Sequence, residues 1–390
     1  MNASRPKVLM VGPWPPTKGG VTTFMCNVVN SQLARRYDFI RFTTSRPGKR
    51  NIRHDNYGYG AVFRGGAKRV AQGVLITLWH LMLYPWVMLK HRPVVVQIQA
   101  SDFQAFWEAA LYVLMGKALR RPIVLRIGGS FDRFYEASNG FARAAIRWTL
   151  RRPSLLVVQS EYWKRYVSGF ARALPTVVLN NFVPERLVEQ RSAPVPDIPR
   201  FLLCSGEVPR LKGAYTLLAA MRILLERGVK LRVTLLAVPQ PLREEISRSG
   251  LAGHIDMLDF CSHEDTLEAL RSTDVFLQIS SSEGFPNMLL EAMALGCASI
   301  VTPVGAVAEV VGADGDCACI VVVGDAEMLA ARIADLAENR DATARMGAAA
   351  QRRVLERYTE RRILPILDNA YQQAMRTSGW VQRAERERPT

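Results

Sequence analysis

The sequence has little that would staple it, coordinate a metal or leave it unfolded. Six cysteines (Cys26, Cys204, Cys261, Cys297, Cys317 and Cys319) are scattered over 390 residues with no C-x-x-C pair. Cys317 and Cys319 stand too close together for a zinc knuckle without further ligands, and no metal site is legible. Most of these thiols lie in apolar contexts, which reads as buried, reduced cysteine in a reducing compartment. The opening MNASRPKVLMVG runs directly into a strand pattern without the charged, apolar and small-residue series of a signal peptide, so a cytoplasmic location is expected. No low-complexity tract and no short-period repeat interrupt the chain. The turn after the first strand, GPWPPTKGG, lacks the G-x-G-x-x-G spacing that a dinucleotide oxidoreductase needs.

What is present is ordinary in amount and uneven in placement. A hydrophobic content of 49% with 22% charged residues excludes disorder except at the ends. The length exceeds one hydrophobic core and suggests two domains. The net charge is +16, yet residues 1–190 carry 28 Lys and Arg against nine Asp and Glu, and the remainder is slightly acidic. A basic half attracts nucleic acid, anionic lipid or a phosphorylated substrate, or simply reflects an Arg-rich composition. No nucleic-acid-binding motif accompanies the charge, so no nucleic-acid partner is expected.

Short apolar runs alternate with helical patterns, the signature of α/β architecture with parallel sheets. Strands are expected at 7–12, 94–98, 122–127, 154–158 and 176–179, then at 201–205, 231–238, 274–280 and 298–302. Helices are expected from Val21, along the face marked by Phe103, Phe106, Trp107, Ala110, Leu111, Leu114, Met115 and Ala118, and at 213–226, 263–271 and 286–295. The proline-bearing stretch 185–200 breaks the pattern. The economical arrangement is two Rossmann-like doubly wound domains, 1–190 and 198–360, with a helix 361–377 and a polar tail 378–390. Ligands of such sheets bind beyond the carboxyl ends of the strands, here in a cleft between the domains.

The most informative segment is SSSEGFPNMLLEAMALG, residues 280–296. Pro286 suits a first helical turn and Gly296 a helix end. Glu283 then lies in the loop above the sheet and Glu291 on the helix, whose free amides offer an anion site. Surface glutamates are usually just solvated; two of them flanking Gly284, Phe285 and Pro286 make that bland reading unattractive.

This segment resembles the E-x7-E motif of glycosyltransferase family 4, retaining enzymes of the GT-B fold. GPWPPTKGGVTTF (12–24) resembles that family's first Gly-Gly loop, and CSGEVPRLKGAYTLLAA (204–220) its diphosphate-binding loop. RYTERRILPILDNAYQQAM (357–375) resembles the final helix, which crosses back to the N-terminal domain. The resemblance implies a two-domain glycosyltransferase with an N-terminal acceptor domain and a C-terminal donor domain. It would transfer sugar from a nucleotide-diphosphate donor to a glycan or lipid-linked acceptor, as in cell-surface polysaccharide synthesis, without a cofactor or metal. It also implies roles. Glu291 would hold the ribose. Glu283, with Gly284, Phe285, Pro286 and Asn287, would face the donor sugar. Lys212, beside Gly206, would pair with the diphosphate, Gly19 and Gly20 would approach it, and Glu309 would line the donor pocket. Two positions depart from the pattern. Glu207 stands where an Arg is usual, leaving Arg210 as the substitute cation. Gly128 stands where a His is common; Asp102 and Arg126 are either acceptor-side groups there, or a strand-end cap and a surface cation. A degenerate homologue that binds nucleotide sugar and partners another subunit, and an epimerase on the same scaffold, are the alternatives.

Residues 73–89, GVLITLWHLMLYPWVML, fall slightly short of a membrane span. They form either a buried helix covering the first sheet or a helix on a membrane surface, with Trp79, Tyr84 and Trp86 at the interface and Lys68, Arg69, Lys90 and Arg92 flanking it. The second reading expects peripheral attachment to the inner face of the cytoplasmic membrane.

Overall fold

The computed structural model describes residues 5–17, 19–45, 66–101, 103–170, 174–188, 196–206, 208–259 and 262–377, with the side chains of 66–70 excepted. Asp102, Glu207, Cys261 and the tail 378–390 lie outside the described residues. So do the side chains of Lys68 and Arg69.

The chain divides into two compact units. Among the described residues, those up to Asn181 together with Glu360–Thr377 form one, and those from Phe182 to Thr359 form the other. The first holds a six-stranded sheet of β1 (Lys7–Gly12), β2 (Asp38–Thr43), β3 (Val95–Ala100), β4 (Ile123–Ile127), β5 (Leu155–Val158) and β6 (Thr176–Val178). Its strand order is β2-β1-β3-β4-β5-β6, and every pairing is parallel. The second holds β7 (Arg200–Cys204), β8 (Arg232–Leu236), β9 (Ile255–Met257), β10 (Val275–Gln278), β11 (Ala298–Val301) and β12 (Cys319–Ile320). It runs in the order β12-β11-β10-β7-β8-β9, again all parallel. The central strands β3, β4, β5, β10 and β11 are buried along their whole length, as a parallel sheet covered by helices on both faces requires.

Nine of these twelve strands lie within a residue or two of the apolar runs in the sequence. The three that no run announced, β2, β9 and β12, are all sheet edges. An edge strand meets core on fewer sides, so β2 can read DFIRFT with only Phe42 buried.

The second unit begins at Phe182, earlier than the proline-bearing stretch suggested. The reason is packing: Val183 and Leu187 are buried in its core with Leu202, Phe276 and Leu289, and the Val183 amide donates to the Tyr358 carbonyl at 3.0 Å. Helix Glu360–Thr377 belongs to the first unit. Asp368 on it accepts from the Tyr37 hydroxyl at 2.6 Å and pairs with Arg36, while the Tyr371 hydroxyl donates to Gln97 at the middle of β3. Cys297, Cys317 and Cys319 are buried and Cys26 and Cys204 half-buried; none of the five is in a disulfide.

Candidate active site

In the second unit β7 and β10 are neighbours, and the chain leaves them in opposite directions: β8 and β9 follow on one side, β11 and β12 on the other. Such a reversal opens a crevice at the carboxyl ends of the two strands, because their following connections diverge to opposite faces of the sheet. The loop 205–213 follows β7 and the loop 279–286 follows β10. The Ser281 amide donates to the Leu211 carbonyl at 2.8 Å, tying the two loops together.

Lys212 and Glu283 meet across this junction. Lys212 Nζ donates to Glu283 Oε1 at 2.6 Å. The same oxygen accepts from Gln278 Nε2 at 2.6 Å and from Ser280 Oγ at 2.7 Å. Gln278 and Ser280 are themselves buried at the end of β10. One carboxylate oxygen is thus fixed by three donors, of which only Lys212 carries charge. Burial disfavours the Lys212 ammonium, but the Glu283 carboxylate more than offsets this and holds its pKa above the usual lysine value. Gln278 and Ser280 were not anticipated. Their signal was a polar pair, two apart, at the end of an otherwise apolar strand.

Two helices start here. Helix Ala214–Glu226 follows Gly213, whose φ of 81° lies in the left-handed region and whose missing side chain would strike the Ile279 backbone. Only glycine lets the two loops approach this closely. Helix Asn287–Ala294 follows Pro286. Neither start has a side-chain cap or an acidic residue in its first turn, so no side chain of its own competes with an anion for its N-terminal field. Gly284, Phe285 and Pro286 are buried and lead into the second helix.

Glu291 lies one turn into that helix and is 6% exposed. Burial without a nearby cation pushes its carboxyl up to about 8. His263 Nε2 is 3.5 Å from its Oε1, and burial lowers the imidazole pKa from its ordinary value, so burial favours the neutral form of both groups. His263 opens helix His263–Arg271, capped by Ser262 with Asp265. Nothing in the sequence linked two residues 28 positions apart.

The remaining expected residues distribute as follows. Gly206 (φ 56°) closes the turn after β7, with open space beside it. Arg210 is exposed and lies 4.3 Å over the Tyr215 ring. Glu309 is in the short helix Val307–Val311, and its carbonyl accepts from Arg353 and Tyr358. Gly19 (φ 137°) and Gly20 are exposed at the start of helix Gly20–Val29 in the first unit. Arg126 is no surface cation. It is 1% exposed, bonded to Asn181, 3.5 Å from Gln99 Oε1 and 3.8 Å over the Phe24 ring. Burial lowers its pKa to about 9, and it presents nothing to solvent. Gly128 faces buried Gln159, whose Nε2 is 3.0 Å from where a Cβ would stand. Among the described residues no group of three or more His, Cys, Asp or Glu could hold a metal.

Another open depression, lined by Pro196, Ile198, Met221, Leu225, Lys230 and His254, lies at the amino ends of β7 and β8. That is the end of the sheet away from the diverging loops, and it gathers neither the Lys212–Glu283 pair nor a helix start.

Residues 186–353 match the family model described as glycosyl transferases group 1. An MMP alpha-(1->4)-mannosyltransferase of Mycolicibacterium hassiacum is 29% identical over 322 residues, 81% of this chain and 69% of that protein. It is a glycosyltransferase. The matched stretch, 186–353, contains Lys212, Glu283 and Glu291. Shorter matches join it to a phosphatidyl-myo-inositol mannosyltransferase of Mycolicibacterium smegmatis, 34% identical over 37% of each chain. A putative colanic acid biosynthesis glycosyltransferase, WcaL, of Salmonella typhimurium is 28% identical over 47% of this chain and 48% of that one. Among solved structures, sucrose-phosphate synthase from Thermosynechococcus elongatus superposes with a TM-score of 0.73 at 16% identity, covering 95% of this chain and 99% of that one. HepE of Anabaena in complex with UDP-glucose gives 0.68 at 17% identity, covering 94% and 98%. The glycosyltransferase therefore has the GT-B fold, with its two Rossmann-like domains.

Gly305 ties the site to the neighbouring β11 loop. Its φ is 56°, and a methyl group there would overlap the Glu283 carbonyl oxygen. Gly305→Ala is expected to displace the Glu283 loop, lowering the melting temperature by several degrees and weakening nucleotide binding. Calorimetric melting with and without nucleotide checks this; an unchanged melt and affinity would contradict the packing described.

Proposed function

We propose that this enzyme is a retaining family 4 glycosyltransferase that takes a sugar from a nucleotide-diphosphate donor. The acceptor is a lipid-linked or polysaccharide intermediate of cell-surface glycan synthesis. The observation that carries the donor reading is the convergence of Lys212, Glu283 and two uncapped helix starts at the β7/β10 reversal. The relatives named as mannosyl- and colanic acid glycosyltransferases support the acceptor class.

In this reading Lys212 and the start of helix Ala214–Glu226 neutralise the diphosphate, most strongly as charge builds on the leaving phosphate. Glu291 accepts the ribose hydroxyls. Glu283, held by Gln278 and Ser280, keeps its carboxylate fixed toward the donor sugar together with the Gly284 and Phe285 backbone. The leaving phosphate takes the acceptor proton, so no separate base is required. That matters here, because Gly128 brings no imidazole and Gln159 fills the space beside it.

The same Gly128 and Gln159 favour one competing reading, a binding-only homologue. A thermal-shift panel of UDP, GDP and their sugars, followed by assay for nucleoside diphosphate release without acceptor, separates the two. Slow release by the best-binding donor is expected. Binding with no release would leave the binding-only homologue, and no stabilisation by any nucleotide would mean that the donor site is misplaced.

A further inference from the structure

From Ala71 to His91, helix Gly66–His91 packs one face into the core and leaves the other exposed. His80, Tyr84, Val87 and Met88 are buried, and Tyr84, Val87 and Met88 join the core over β1, β3 and β4. The spacing i, i+4, i+7, i+8 is one helical stripe. The other side exposes Val74, Leu75, Leu78, Trp79, Met82, Trp86 and Leu89, each at least half exposed. Seven of the fifteen large apolar side chains exposed among the described residues are thus on this single helix. No charged residue occurs from Ala71 to Leu89; the run ends at Lys90, whose ammonium lies 4.5 Å over the Trp86 ring, followed by His91 and Arg92. Ala71–His91 is long and apolar enough to cross a bilayer, with a mean hydropathy of 1.3. Spanning would require withdrawing Tyr84, Val87 and Met88 from the core.

We infer that the exposed face of helix Gly66–His91 seats this enzyme on an anionic lipid surface, with the helix lying in the plane of the interface and its Trp79–Met82–Trp86 stripe inserted. A bare apolar stripe of this length needs a covering partner. Charge selects which one. Residues 1–190, nearly all of the unit that bears the helix, carry 28 Lys and Arg against nine Asp and Glu. Two such units repel each other, which disfavours a second copy, whereas an anionic bilayer attracts the unit while accepting its tryptophans. Helix Gly140–Leu150 packs Ile146 and Leu150 into the same core and exposes Phe141 and Trp148, with Arg152 4.2 Å over the Trp148 ring. The inference does not rest on the Lys212–Glu283–Glu291 cluster, which lies in the other unit.

The test is flotation of the full chain with vesicles of neutral phosphatidylcholine or of phosphatidylcholine with about a third phosphatidylglycerol, at low and high salt. The wild type is expected to float with anionic vesicles at low salt, at least tenfold more than with neutral ones, and salt is expected to release it. Leu75→Gln/Trp79→Gln/Met82→Gln, all at exposed positions, is expected to cut flotation at least tenfold while leaving the melting temperature and nucleotide-induced stabilisation unchanged. Failure of the wild type to float, equal flotation of the triple variant, or equal affinity for neutral vesicles overturns the inference. So does a wild-type dimer in sedimentation that the triple variant converts to monomer without any vesicle binding by the wild type.

Discussion

Glu291→Ala is expected to abolish the stabilisation that a nucleotide-diphosphate sugar gives the wild-type enzyme, and Glu291→Gln to change how stability depends on pH. The carboxyl is buried, and burial raises its pKa from the ordinary carboxylate range to about 8. In the unfolded chain it ionises near the ordinary value; in the folded enzyme it keeps its proton far longer. Folding therefore takes up a proton across that window. The stability this group contributes is full below about 4.5, declines as pH rises, and is gone above about 8. The slope for one group is at most about 1.4 kcal/mol per pH unit. Glu291→Gln cannot ionise, so its melting temperature should match the wild type below about pH 4.5 and exceed it increasingly toward pH 8. Parallel melting curves across that range would show that the carboxyl is not buried as described.

Ligand binding carries the opposite sign. Ribose hydroxyls donate hydrogen bonds that favour the carboxylate, so a bound donor lowers the Glu291 pKa and expels a proton. Affinity for a nucleotide-diphosphate sugar should rise from pH 6 to 8 and then level off. Calorimetry in two buffers of different ionisation enthalpy should find close to one proton released in that range. Absence of proton release, with retained binding by Glu291→Ala, would remove Glu291 from the site.

Lys212→Met and Glu283→Gln are each expected to lower kcat/KM by roughly 100- to 1,000-fold, the usual range for losing one fixed charge that stabilises a transition state. Their combination should cost little more than the worse single change. Lys212 is held at 2.6 Å by the oxygen that Gln278 and Ser280 also bind, so the pair works as a unit, and losses within a unit are not additive. Lys212→Met should also weaken nucleotide diphosphate binding, since it removes the cation beside a helix start. Glu283→Gln should leave nucleotide diphosphate binding closer to wild type, because the proposed role of the carboxylate is toward the sugar rather than the diphosphate. Additive losses in the double variant, or single losses below tenfold, would sink the arrangement.

The covered strands were legible because a parallel sheet needs unbroken apolar runs, and KVLMVG, FLLC and ASIV provide them. The edge strands β2, β9 and β12 were not, because an edge tolerates polar residues and two- or three-residue pairings. Within the site, Glu283 and Glu291 were visible through local grammar, glutamates around Gly-Phe-Pro, and Lys212 through the resemblance of 204–220 to a diphosphate-binding loop. Gln278 and Ser280 left only a faint polar signal, and His263 none.

By itself the sequence determined two α/β units, the β7 and β10 loops that carry a cation and a carboxylate, and a basic N-terminal half with one long apolar helix. These follow from periodicity, glycine and proline placement and charge, which act over a few residues. Only the tertiary structure decided that Lys212, Gln278 and Ser280 converge on one oxygen of Glu283, that Glu291 is buried beside His263, and that Arg126 is sealed among Asn181, Gln99 and Phe24. It alone decided, too, which face of the apolar helix is buried. Each of these depends on elements far apart in the chain, and desolvation, which sets the charge of a carboxyl or the exposure of a tryptophan, is a property of that packing.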